Sequence, residues 1–92
     1  MKTIWKWKLE ITDNNYVKMP ENARILTVQL QYDVPMIWAL VDTVDKKESM
    51  RTIHIYGTGN PLPDNPGKYI STFQLFSGDL IFHVFEEDNE PI

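Results

Sequence analysis

The sequence predicts an all-β domain, a small antiparallel barrel or sandwich of about seven strands, and three observations predict it. Apolar residues recur with period two almost throughout the 92-residue chain and with period 3.6 almost nowhere. Gly, Pro, Asn and Asp punctuate the chain at short intervals, as turns between strands do. No segment offers a helical pattern of about ten residues, the shortest that ordinary helix lengths would favour.

The elements follow in order. Trp5, Trp7, Leu9 and Ile11 alternate with Lys6, Lys8, Glu10 and Thr12, the pattern of a strand with one buried and one wet face. Core packing of the two indoles is the expectation, because tryptophans on a patterned strand supply large buried area. Asp13-Asn14-Asn15 brings turn chemistry, since these side chains tolerate left-handed backbone and bond their own main chain. A short strand from Tyr16 to Met19 stops at Pro20, and Pro20-Glu21-Asn22 turns the chain again. Leu26, Val28, Leu30 and Tyr32 then alternate with Ile25, Thr27, Gln29 and Gln31 in a long strand. Asp33-Val34-Pro35 reads as a turn into Met36 to Val41, which is apolar on both faces and so belongs at the covered centre of a sheet.

Asp42 to Ser49 is rich in charge and reads as a solvated hairpin connection to the strand Met50 to Tyr56. Tyr69 to Phe76 and Leu80 to Phe85 are strands joined by Ser77-Gly78-Asp79, with a glycine for positive φ. These short links suggest an antiparallel meander.

Composition sets outer bounds on function. A chain of 92 residues is one small domain, expected over residues 1–86, with an acidic and disordered end at 87–92. The formal charge is −4, and four of the 13 carboxylates, Glu86, Glu87, Asp88 and Glu90, lie in the last seven residues. The preceding body carries 9 positive and 9 negative side chains, a neutral balance that argues against direct nucleic-acid binding by phosphate neutralisation. The interleaved Trp5-Lys6-Trp7-Lys8 does not reverse this, because alternation sends indoles and ammoniums to opposite faces. With no cysteine, disulfides, thiolate metal sites and thiol catalysis are impossible. No apolar run approaches a membrane span of about 18 residues, so no membrane association is expected.

The candidate site is the one long irregular stretch, Gly57 to Gly67, which holds three prolines and three glycines. Tyr56-Gly57-Thr58-Gly59-Asn60 contains a G-x-G, but Pro61-Leu62-Pro63 follows where a dinucleotide fingerprint needs a helix. What remains is a stiff loop with glycine N–H groups, a hydroxyl at Thr58 and an amide at Asn60. Such a loop can hold an anion or a sugar hydroxyl at low ordering cost, or serve only as a rigid crossover. Lys68 and Tyr69 are the nearest cation and phenol, giving a candidate ligand set of Tyr56, Gly57, Thr58, Gly59, Asn60, Lys68 and Tyr69. His54 and His83 lie in strands without a third ligand, so neither a metal nor another cofactor is expected. No nucleophile elbow accompanies them, and an enzyme is not the expectation.

Taken in order, MKTIWKWKLEIT at the start, IWALVD (37–42), IYGTG (55–59) and GKYISTFQLFSGDLIFHVFE (67–86) resemble a family of short uncharacterised proteins encoded by bacteriophages and prophages. The resemblance runs through nearly the whole chain and carries no assigned activity. It implies an accessory protein acting in the host cytoplasm, where small phage proteins often counter immunity. Two function classes follow: a non-enzymatic, homo-oligomeric protein that sequesters a small nucleotide-derived signal, or an inhibitor that plugs a host defence protein through a β edge or the acidic tail.

Overall fold

The structure, a computed structural model, describes residues 1–88. Seven strands form: β1 (Lys2–Lys8), which begins earlier than expected and stops short of Thr12, and, within two residues of where the alternation places them, β2 (Asn14–Pro20), β3 (Arg24–Gln31), β4 (Val34–Asp42), β5 (Glu48–Gly57), β6 (Lys68–Leu75) and β7 (Leu80–Glu86). They make two antiparallel sheets, β1-β4-β3 and β2-β5-β7-β6, and no closed barrel. The sandwich alternative fits: the inner faces contribute Val28, Ile37, Ala39 and Val41 from one sheet and Val17, Met19, Ile53 and Val84 from the other to one core. The result is a flattened slab of 41 × 37 × 15 Å.

Only β3–β4 and β6–β7 are hairpins between successive strands, so the topology is not the meander suggested by the short links. Asp42 to Ser49 joins β4 of one sheet to β5 of the other rather than turning a hairpin. The Glu21 N–H donates to the Lys47 carbonyl at 2.9 Å and Pro20 pairs with Glu48, which draws the start of β5 onto β2. The β3–β4 turn is also tighter than expected. Tyr32 and Asp33 take φ of 51° and 64°, the two-residue primed turn that suits right-handed strand twist. Pro35 therefore lies inside β4, on the buried face, where its carbonyl accepts the Leu9 N–H at 2.9 Å.

The central position of β4 is as expected, buried on one side and half-buried on the other. The indoles of β1 pack less deeply. Trp7 lies against the core, but Trp5 remains 44% exposed, because β1 is an edge strand with a neighbour on one side only.

A side chain closes the seam between the sheets. Val28 on the edge of β3 directs both its N–H and its C=O toward β6. The Ser71 hydroxyl accepts from the first at 2.8 Å and donates to the second at 2.9 Å. Ser71 thus takes the place of a neighbouring strand, which caps the edge without extending the ladder around into a barrel. Nearby, the guanidinium of Arg51 makes a two-pronged ion pair with Glu86 and donates to the Ala23 carbonyl at 2.9 Å. That places Glu86 within the fold at the end of β7. Glu87 is also engaged, through its N–H to the Thr52 carbonyl at 2.9 Å. Of the rest of the acidic end expected at 87–92, Asp88 is exposed and outside any strand, and residues 89–92 lie outside the described residues.

Candidate functional site on the outer face of the four-stranded sheet

Register decides which side chains meet. In β5–β7, His54 pairs with Phe85 and Tyr56 with His83; in β6–β7, Tyr69 pairs with Phe85 and Thr72 with His83. All six therefore stand on the same outer face. Edge-on ring contacts join Tyr56 to Phe85 and Phe85 to Tyr69, with centroids 5.9 and 5.6 Å apart, and His54 lies 6.1 Å from Tyr56.

Beside these rings runs a chain of hydrogen bonds. Tyr69 Oη and Thr72 Oγ1 are 2.7 Å apart, Thr72 Oγ1 and His83 Nδ1 3.0 Å, and His83 Nε2 and Thr58 Oγ1 2.6 Å. Thr58 Oγ1 also lies 3.3 Å from the Ile81 carbonyl oxygen. A hydroxyl has a single proton to give, so the row runs either from Tyr69 toward Thr58, with the His83 ring donating through Nε2, or from Thr58 toward Tyr69, with the ring donating through Nδ1. Either direction ties Tyr69, Thr72, His83 and Thr58 into one connected row. What the arrangement offers chemically is recognition: exposed aromatic surface with a phenol oxygen and a hydroxyl fixed at its border.

The structure divides the candidate ligand set. Tyr56, Thr58 and Tyr69 join the outer-face cluster. Gly57 ends β5 and accepts the Asn60 N–H at 3.1 Å in the turn that follows, and the Thr58 N–H is bound to the Ile81 carbonyl at 3.0 Å. Two loop N–H groups suited to cradling an anion are thus already spent, one within the turn and one on β7. Gly59 needs its freedom, with φ of 88° and open space around it. Asn60 borders a shallow open depression shared with Asp13, Asn14, Tyr56 and Pro61. Lys68 pairs with Glu86 and lines a groove of about 340 Å³ with Arg24 and Arg51 at the seam between the sheets, apart from the Tyr56 face.

Sequence reasoning did not gather Thr72, His83 and Phe85 into the site. Counting back from the expected turn at 77–79 sets Thr72 opposite Val84; the loop in fact runs from Phe76 to Asp79, with Leu75 opposite Leu80, and this shift of one residue brings Thr72 opposite His83. The pairing of β5 with β7 spans the Pro/Gly loop and had no such turn to count from. Among the described residues, no group of three or more His, Cys, Asp or Glu could hold a metal ion, and no helix is long and apolar enough to cross a membrane.

The fold and this face define an all-β protein of two antiparallel sheets with an aromatic and hydroxyl-bearing outer surface. The chain belongs to the family described as a domain of unknown function, DUF7352, whose match covers residues 1–92. The family description names no activity. Comparison with curated proteins and with solved structures gives no match.

Proposed function

We propose that this chain is a non-enzymatic binding protein that holds a small nucleotide-type ligand against the outer face of the four-stranded sheet. The observation that carries the reading is the bonded chain from Tyr69 through Thr72 and His83 to Thr58 alongside the rings of Tyr56 and Phe85. A base stacks on an exposed aromatic ring, while a ribose hydroxyl meets the Tyr69 phenol oxygen and a phosphate oxygen accepts from the Asn60 amide at its border. The face is open, with Tyr16 and Tyr69 65% and 54% exposed, so a second copy laid over it would enclose the ligand. A phage-encoded protein acting in the host cytoplasm, and removing a nucleotide signal of host defence, fits the sequence resemblance.

Calorimetry with cyclic dinucleotides and ADP-ribose, alongside light scattering, tests this. Binding should be saturable for one of them, and Tyr69→Ala should weaken it by about tenfold or more while leaving the unfolding midpoint within a few degrees. No heat with any ligand, together with a monomeric mass, overturns the proposal.

The second reading, an inhibitor of a host defence protein, is favoured at a sheet edge over the acidic end, because Glu86 and Glu87 are already engaged by Arg51, Thr52 and His54. Among the described residues β2 is the last strand of its sheet, with Tyr16 exposed. A stoichiometric partner retained after deletion of residues 89–92 and lost with Tyr16→Asp would favour this reading over ligand sequestration.

A further inference from the structure

The opposite face of the molecule has a different chemistry. In the three-stranded sheet, Lys2, Ile4, Lys6 and Lys8 on β1 stand opposite Asp42, Leu40, Trp38 and Met36 on β4. Arg24, Thr27 and Gln29 on β3 flank the same β4 residues from the other side. All of these point outward, since the alternate residues of β4, from Pro35 to Val41, are the buried ones. The face therefore carries a central apolar stripe, Leu40-Trp38-Met36, with three lysines along one border and an arginine on the other.

Its charge is the reverse of the chain's. The whole protein is at −4, yet these strands hold four cations against a single carboxylate, Asp42, which the Met1 ammonium binds at 3.1 Å. Among the described residues Lys8 meets an exposed Glu10 at 3.6 Å, and Lys6 donates to the Gln31 amide oxygen, both contacts that a phosphate can displace. The acidic residues at the end of β7 do not neutralise this surface: Glu86 is paired with Arg51 and Glu87 with His54, on the other sheet.

The separation of indole from ammonium along β1 is real, but β4 restores what β1 lacks. Trp38 is the direct cross-strand neighbour of Lys6, so one aromatic platform and a row of cations share a face. Alternate positions on a strand are about 6.6 Å apart, so Lys6 and Lys8 can meet successive backbone charges while a base lies on Trp38. Thr27 and Gln29 add hydrogen-bonding groups beside it. We infer that the outer face of the three-stranded sheet binds single-stranded nucleic acid, with Trp38 as the stacking platform and Lys2, Lys6, Lys8 and Arg24 as phosphate contacts.

Fluorescence anisotropy with labelled twelve-base oligo(dT) and oligo(rU) tests this on the whole chain. Three to four neutralised phosphates predict about 20- to 50-fold weaker binding at 200 mM than at 50 mM salt. Lys6→Glu/Lys8→Glu should weaken binding by at least tenfold and flatten the salt dependence. Trp38→Leu should weaken it by about tenfold with the salt dependence unchanged, and Trp38→Phe, which keeps a ring, should restore most of it. Because Trp38 is half-buried, the leucine and phenylalanine variants are compared at matched unfolding midpoints. The inference is overturned by no binding at 50 mM salt, by equal affinity for a duplex of the same length, by affinity indifferent to the lysine or Trp38 changes, or by binding to anionic lipid vesicles in place of the oligonucleotides. These variants leave the Tyr69 face intact, so failure here and failure of the sequestration proposal are separate results.

Discussion

Ser71→Ala tests whether a single hydroxyl stands in for a missing strand. The serine is buried, and its oxygen holds both the N–H and the C=O of Val28, a residue with no solvent exposure at all, at 2.8 and 2.9 Å. Alanine fits the space but leaves two buried backbone groups without partners. Each such group costs about 1–3 kcal/mol, and the small void left by one oxygen is too tight for a bridging water. Taking the lower half of that range, since the carbonyl keeps a lone pair that tolerates weaker contacts, the loss is about 2–4 kcal/mol. For a chain of this size that lowers the unfolding midpoint by roughly 10–25 °C. Thermal unfolding followed by circular dichroism, with urea titration for the slope, measures it. Gln74→Ala, on the same strand but exposed, is the control and should change stability by less than about 0.5 kcal/mol. A Ser71→Ala protein as stable as the control would show that Val28 needs no partner from β6, and the account of how the seam is closed would fail.

Two further outcomes follow from local geometry. Gly67 has φ of 95°, and a Cβ there would lie 2.2 Å from the Glu86 carbonyl oxygen, whereas Gly59, at 88°, faces open space. Gly67→Ala should therefore cost about 3 kcal/mol or more and Gly59→Ala about 1–2, and equal losses in chemical denaturation would refute the steric argument. The Met1 ammonium hydrogen-bonded to Asp42 holds that carboxyl below its ordinary value of 3.8, with help from the Val44 N–H. Its contribution to stability is thus complete above about pH 4 and disappears as pH falls through the lower folded-state value. A carboxyl-carbon titration should place the Asp42 midpoint below the ordinary aspartate value, and acetylation of the N-terminus should move it upward.

The strands were legible because their signal is local. Alternation needs only neighbours along the chain, so β3, β5 and β7 emerge within a residue or two of their ends. Turns were less legible where one residue type serves two purposes. Pro35 reads as a turn former, yet it lies in β4 because its missing N–H costs nothing where the ladder does not call on it, while Tyr32 accepts positive φ against its usual preference. Sheet membership was legible only for β6 and β7, joined by a recognisable hairpin turn, since the pairing of β1 with β4 and of β5 with β7 depends on contacts distant in sequence. The site shares this division. Tyr56, Thr58 and Tyr69 were found from the composition around one loop. Thr72, His83 and Phe85 enter only through register, and Lys68 leaves the cluster because adjacent residues on a strand point to opposite sides.

The thinness of the molecule has a consequence for how its two outer faces work together. The backbone is 15 Å through its shortest dimension, and side-chain charges on the two faces lie farther apart still. At physiological ionic strength the Debye length is about 8 Å, so exposed charges across that distance are largely screened from one another. An anion arriving on the lysine-bordered face would change little in the potential felt beside Tyr69. Communication between the faces would have to be mechanical, carried by the interdigitated Val28, Ile37, Ile53 and Val84 in the middle layer, and a close-packed layer resists small displacements. A chain of this size can in that way present two electrically insulated surfaces, each open to its own partner and each able to change in sequence without disturbing the other.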